Sequence, residues 1–579
     1  MARKFKKIPI GNSNFEEIIE EGFYYVDKSL FIQEILDSGS KVSLITRPRR
    51  FGKTINLMML KAFFELDMQD FRDRKLSSLQ TSSRQHPKEK LFHKLAIWQQ
   101  GEEYTSHQGK YPVIFLSLKD SKKNTWSLSY QLLKQIIADE YKKHKYLLES
   151  DYLDQTEKND FQRILTREAS EFILGDSLKS LIKHLYHYHN QKVIVLIDEY
   201  DSPVHEAYEH GFYQEIIEFL LSFLGGALKD NKNLERAVIT GILRVTKENI
   251  FSDLNNPDII TLLNDKYADK FGFTEAEVVK FLNDYQLEYE MENVKKWYDG
   301  YVIGKVSDIY NPWSILNFVD KHEEGFKPYW VNTSRNTLIN HLLAHSNKDV
   351  KNELEQLIAN NSITKRINSH IIFSDIERNS EALWSFLLFS GYLKTTKIIQ
   401  DGKNIQYELM IPNLEVEYVF ETFIEEWFTN YLADGEITVL FRALLSGDYK
   451  TVRQALQKYV LGAMSFFDPT GSEPEKVYHA FVLGLLVNMK THRVKSNRES
   501  GFGRYDIMLI PLDLKDAGVV MEFKKVEEED DETLDTACDA ALLQIEKKQY
   551  ETELRDLGVQ EIYKYGIGFE GKSVKVKSA

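Results

Sequence analysis

The sequence predicts an α/β chain with a phosphate-binding domain on a parallel sheet in front and a smaller α/β domain behind. Three observations predict it. An apolar run beginning at Ser43 enters Gly52-Lys53-Thr54 and then a helical pattern. A second apolar run, Val193 to Ile197, ends in the consecutive carboxylates Asp198 and Glu199. Downstream, Arg504-Tyr-Asp506-Ile-Met-Leu-Ile-Pro and Gly518-Val-Val-Met-Glu522-Phe-Lys524 read as a hairpin carrying two carboxylates and a lysine.

The first element, Ser-Leu-Ile-Thr-Arg-Pro-Arg-Arg-Phe-Gly-Lys-Thr over residues 43–54, is a strand, a turn and a helix start. That order is what a phosphate-binding loop requires. Arg49, Arg50, Phe51 and Gly52 form the turn, and N–H groups at the following helix N-terminus cradle the anion. Lys53 would reach the β- and γ-phosphates of ATP, and the Thr54 hydroxyl would ligate Mg²⁺. Arg47 stands where the first loop glycine is usual, and Pro48 removes one N–H, so a turn unlike the common one is expected.

The run Val193 to Ile197 reads as a strand buried on both faces. At its end Asp198 would hold the Mg²⁺ shell and Glu199 would orient or deprotonate the attacking water. Two further apolar runs, Val113 to Leu118 and Ala237 to Thr240, fit strands of the same sheet. A strand between the two motifs, with a glutamate after the metal aspartate, points to the additional-strand division of phosphate-loop ATPases. There Thr240 is the candidate γ-phosphate sensor, and Arg244 would add positive charge in its own or a neighbouring subunit. Because arginines completing such sites often come from a neighbour, homo-oligomerisation on ATP binding is expected.

In the C-terminal part, period-2 geometry puts Glu522 and Lys524 on one face of their strand, with Asp506 on the partner strand. Asp506 and Glu522 would bind one or two divalent ions, Mg²⁺ or Mn²⁺, and Lys524 would position the nucleophile or stabilise developing charge. Lys490, His492, Arg493, Lys495, Arg498 and Arg504 could track a phosphate backbone. The acidic run Glu527 to Glu532 reads as a solvated loop. His184, His187 and His189 end a helix, where cations are favourable, and do not suggest a metal site.

Composition narrows the class. At 579 residues the chain is long enough for several domains, and its 42% hydrophobic content can bury ordinary cores. One cysteine, Cys538, rules out an internal disulfide and suits a reducing cytoplasm. No apolar run approaches the roughly 20 residues of a membrane span. A net charge of −14 argues that any nucleic-acid contact is local.

The segments Ile8-Pro-Ile-Gly-Asn12, Tyr25-Val-Asp-Lys28, Arg47-Pro-Arg-Arg-Phe-Gly-Lys-Thr54, Asp198-Glu-Tyr-Asp201, Thr240-Gly-Ile242 and Phe251-Ser-Asp-Leu-Asn255 resemble a bacterial family of predicted AAA-type ATPases fused to a PD-(D/E)XK nuclease. So do Trp297-Tyr-Asp-Gly-Tyr301, Tyr310-Asn-Pro-Trp313 and Tyr329-Trp-Val-Asn-Thr333. The resemblance implies an ATPase fold with a helical lid and a C-terminal nuclease fold. It also implies that Glu475 is a helix-borne extra metal ligand and that Gln544 stands near the attacking water. The expected division is an ATPase core over 7–263, a lid over 267–432 and a nuclease-like domain over 437–579. Arg335 is a further lid candidate for facing the nucleotide. The resemblance implies little about the biological task; the activity expected from the residues is ATP hydrolysis together with metal-dependent cleavage of nucleic acid, DNA ahead of RNA, with a defence or mobile-element role by analogy. The alternative is a non-catalytic regulator, in which ATP acts as a switch and the nuclease fold only binds nucleic acid or protein.

Overall fold

Five short strands build the first sheet: β1 (Val42–Thr46), β2 (Val113–Ser117), β3 (Val193–Asp198), β4 (Leu234–Gly241) and β5 (Asp258–Ile260). The computed structural model describes residues 5–67, 88–244, 257–330, 337–344, 346–358, 360–369, 376, 379–429, 434–463, 482, 486, 489, 491–500, 503–526, 532–571 and 573–579. The sheet order is β2-β3-β4-β1-β5 and every neighbouring pair is parallel. Every residue of β1 and β3 is buried, which explains why both read as continuous apolar runs rather than alternating ones. β4 lies between the motif-bearing strands β1 and β3, whereas β2, the strand between the two motifs in sequence, stands at the sheet edge beside β3. Helix Lys53–Phe64 packs its Leu57, Leu60 and Phe63 into a core with Phe31, Ile45, Leu196 and Val238.

The chain continues into a small sheet of β6 (Phe273–Thr274), β7 (Tyr301–Ile303) and β8 (Val306–Tyr310), in the order β6-β8-β7. Helices Glu275–Asp284, Met291–Tyr298 and Pro312–Asp320 share a core of Val278, Phe281, Tyr298, Ile315 and Phe318. Ile8, Tyr24 and Val26, from the start of the chain, pack against it. Glu277 does two jobs here. Its carboxylate accepts from Thr274 N in a capping box and pairs with Lys28 at 2.6 Å, tying residues 24–28 to this second core. Beyond the short β9 (Ile363–Lys365), the strands β10 (Lys394–Asp401) and β11 (Asn404–Met410) pair as an antiparallel hairpin, so the expected helical lid also contains strands.

Two compact units result, residues 1–334 with 365–415 and residues 335–364 with 416–579, and the expected lid span falls in both. The second unit carries β12 (His492–Ser500), β13 (Gly503–Pro511), β14 (Gly518–Lys525), β15 (Ile562–Glu570) and β16 (Ser573–Ser578) in sequential order. All pairs are antiparallel except β14 with β15, which is parallel. The parallel pair needs a crossover, and helix Leu534–Lys548 provides it, packing across β14, β15 and β16. Among the described residues, no helix is long and apolar enough to cross a membrane.

Candidate functional site

The turn after β1 owes its shape to three residues. Arg50 and Gly52 both take positive φ, 67° and 81°, and Gly52 caps helix Lys53–Phe64. Arg47 is fully buried. Its guanidinium donates to the carbonyls of Thr46, Ile260, Lys266 and Tyr267 at 2.9–3.4 Å and lies over the Phe271 ring. Burial lowers it to about 9. The arginine in the glycine position therefore anchors β1 to β5 and the segment beyond it. Lys53 Nζ donates to the Arg47 and Pro48 carbonyls at 2.9 and 2.8 Å, closing the loop on itself. Burial pushes its ammonium down, and Glu199, Asp201 and Asp198 pull it back up.

Asp198 sits between two hydroxyls. Thr54 donates to its Oδ2 at 2.7 Å and Thr240 to its Oδ1 at 2.6 Å. Its pKa is raised, chiefly by burial, against the pull of both hydroxyls. Glu199 follows with φ 50°, a left-handed conformation unfavourable for a glutamate, and Ser202 Oγ donates to its Oε2 at 2.8 Å. Asp201 holds this turn in place. It accepts from the Ile242 and Leu243 N–H groups at 2.8 and 2.9 Å, while Tyr200 OH donates to the Leu243 carbonyl. Gly241 is required at the crossing, since a Cβ there would lie 2.7 Å from Tyr200 Cε1 and 2.8 Å from Asp201 Oδ1. Strain at Glu199 is thus over-determined by its surroundings, as at many functional turns.

A cavity of about 300 Å³ opens over Gly52, Lys53 and Thr54, at the small end of ligand pockets. Glu199, Ser202, Lys119 and Lys122 also line it, as do Pro9, Tyr24, Phe273 and Leu316. The Arg50 guanidinium lies 4.1 Å over the lining Trp313 ring, joining the loop to helix Pro312–Asp320. Thr240 and Arg244 are not among the lining residues. Thr240 reaches the site through Asp198. Arg244 is half-buried three residues past β4, its guanidinium pushed down by burial.

In the second unit, Ile507 pairs with Met521 and Met508 with Val520, and Asp506 and Glu522 are the next residues along the two strands. Asp506 Oδ2 accepts from Phe523 N at 2.8 Å. Burial raises its carboxyl to about 6, against the Phe523 N–H and the charge of Lys524. Glu522 is buried and accepts from the Gln544 amide, which also donates to Tyr550 OH at 3.2 Å. The helix bearing Gln544 can come this close because Gly566 and Gly568, in register with Glu522 and Lys524, present no side chain to it. A Cβ at Gly566 would stand 2.4 Å from the Cys538 carbonyl. Asp506, Glu522, Lys524 and Gln544 are thus brought together. A buried and a half-buried carboxylate beside an amide and an ammonium are a donor set suited to a divalent oxygen-seeking cation. Glu475 and Arg335 lie outside the described residues.

Residues 9–251 match the family model of predicted AAA-ATPases, and residues 473–579 match that of the PD-(D/E)XK nuclease superfamily. The chain joins an AAA-ATPase-like domain to a PD-(D/E)XK nuclease-superfamily domain. It is also similar to an uncharacterised protein in the vnfD 5′ region of Azotobacter chroococcum mcd 1, 27% identical over 415 residues that cover 71% of this chain and 68% of that one.

In the first unit, sequence reasoning missed the cavity wall formed by Pro9, Tyr24 and Trp313 and the clamp by Asp201. The second aspartate of Asp198-Glu-Tyr-Asp201 was the available signal, standing just before helix Ser202–His210. In the nuclease-superfamily domain two of the basic residues are structural. His492 is buried against the Ala517 carbonyl and Lys495 pairs with Glu553.

Proposed function

We propose that this protein hydrolyses ATP and cleaves nucleic acid, DNA ahead of RNA, with the nucleotide state controlling access to the second activity. The observation that carries the reading is Asp198 held by Thr54 and Thr240 directly before Glu199, which lines one cavity together with Lys53 and Thr54. In this reading Lys53 exchanges the two loop carbonyls for phosphate oxygens, Thr54 and Asp198 hold Mg²⁺, and Glu199 takes the proton of the attacking water. Trp313, Tyr24 and Phe273 supply apolar and aromatic surface for the base.

At the second site Asp506 and Glu522 would hold Mg²⁺ or Mn²⁺, with Glu475 an added ligand, and the ion would supply charge neutralisation and an activated water. Lys524 sets an ammonium beside the scissile phosphate, and Gln544 orients a water through the amide that now contacts Glu522. The single cysteine supports a cytoplasmic setting, and defence or mobile-element biology fits the pairing of domains.

The test is a cleavage assay with and without ATP, with Mg²⁺ or Mn²⁺, on single- and double-stranded DNA and RNA. Metal-dependent cleavage that changes with ATP supports the reading. Nucleotide binding without cleavage of any substrate would support the non-catalytic regulator instead.

A further inference from the structure

We infer that Lys119 and Lys122 complete the phosphate end of the ATP site from within the same chain, as catalytic residues that touch the γ-phosphate. The inference rests on the ATPase reading above and goes beyond it by removing the need for a neighbour's arginine.

The placement follows from the sheet. Ser117 of β2 is in register with Asp198 of β3, and Leu118 N donates to the Asp198 carbonyl at 3.0 Å. The turn that follows therefore starts beside the Asp198-Glu199 pair. Buried Ser121 fixes it, its hydroxyl donating to the Leu118 carbonyl at 2.6 Å. Lys119 and Lys122, on either side of that anchor, line the same cavity as Glu199, so they enter from the side of the attacking water.

Charge balance says what they wait for. Among the described residues, Glu199 is the one carboxylate that lines the cavity. Lys28 and Lys270 in the same lining are paired with carboxylates outside it. Lys119 and Lys122 make no side-chain hydrogen bond or ion pair among the described residues. In a chain of net charge −14, an uncompensated pair of ammonium groups at this position suits a polyphosphate. During transfer the water oxygen bonds to the γ-phosphorus as the bond to the β-phosphate bridging oxygen breaks. The electron pair leaves on the β-phosphate and the water proton passes to Glu199. The two ammonium groups offset negative charge on the γ-phosphoryl oxygens throughout.

Full-length protein is assayed for ATP turnover and, separately, for ATP and ADP affinity. Lys119→Ala/Lys122→Ala should lower kcat by about 100-fold while KM for ATP stays within about threefold. The preference for ATP over ADP should fall about tenfold, and Lys119→Arg/Lys122→Arg should restore most of both. Parent turnover per protomer should stay constant across a wide dilution series. A double alanine variant with parental turnover and parental ATP preference overturns the inference, as does parent turnover that vanishes on dilution. If the parent binds ATP without hydrolysing it, the ATPase reading fails, and the ATP-over-ADP preference still decides the role of the lysines.

Discussion

The Thr54 hydroxyl donates to Asp198 Oδ2 at 2.7 Å, joining the first turn of helix Lys53–Phe64 to the end of β3. Thr240 holds the other oxygen, and in the proposed function Asp198 takes the metal and the neighbouring Glu199 the water. Separate jobs predict separate phenotypes. Lys53→Ala should weaken ATP binding about tenfold or more, since a charged hydrogen bond contributes roughly 1.5–3 kcal/mol. Glu199→Gln should keep binding and lose hydrolysis by about 10²- to 10⁴-fold. Turnover of Glu199→Gln at the parental rate would show the assignment to be wrong.

A second prediction concerns Gly241, which the Tyr200-Asp201 clamp crosses. Gly241→Ala places a methyl against Tyr200 and Asp201 and should destabilise by about 1–3 kcal/mol in urea unfolding. Gly225, inside helix Tyr213–Leu228 with open space around it, is the control, and Gly225→Ala should stabilise by about 0.5–1 kcal/mol. Equal effects at the two positions would argue against the clamp.

The two motif strands and the β13–β14 hairpin were legible because their signals are local. An apolar run ending in Lys53 and Thr54, or in Asp198 and Glu199, announces both its element and its chemistry within a dozen residues. Glu522 and Lys524 on one face follow from strand periodicity alone. What was not legible is set by long-range packing. Tyr24 reaches Asp284 across 260 residues, and Glu277 reaches Lys28 across 249, so neither spacing carries information about the cavity wall. Arg47 was read as a loop peculiarity, because nothing in its neighbours says that four carbonyls await it. Gly566 and Gly568 are likewise mute until the register with β14 is known.

Glu415 supplies a pH-dependent prediction in the first unit. Its carboxyl accepts from Trp330 N at 2.7 Å and Ser314 Oγ at 2.8 Å, and burial raises it to about 8. The folded state then holds a proton that the unfolded chain releases near its ordinary carboxyl range. This group's contribution is fully present below the unfolded pKa and is lost as pH rises through about 8. Comparing parent with Glu415→Gln, the parent should lose up to about 1.4 kcal/mol per pH unit relative to the variant between roughly pH 5 and 8. Parallel stability curves for the two proteins over that range would contradict the assignment.

The nuclease-superfamily site makes the last prediction, because its four residues have separable roles. Asp506 and Glu522 repel each other unless a cation lies between them, so metal binding and cleavage should fail together when either is lost. Asp506→Ala and Glu522→Ala should each weaken Mn²⁺ binding about 100-fold and abolish cleavage. Lys524→Ala should keep Mn²⁺ affinity and lose about 10²- to 10³-fold in cleavage rate, since it removes charge from the reacting phosphate and not from the metal. Gln544→Ala should fall between, because its amide contacts Glu522 without being a ligand. ATP hydrolysis should persist in all four variants, since both the phosphate loop and Asp198 belong to the other compact unit. Calorimetry reporting parental Mn²⁺ affinity in Asp506→Ala, with no cleavage by the parent under any condition, would leave the domain as a binding module rather than an enzyme.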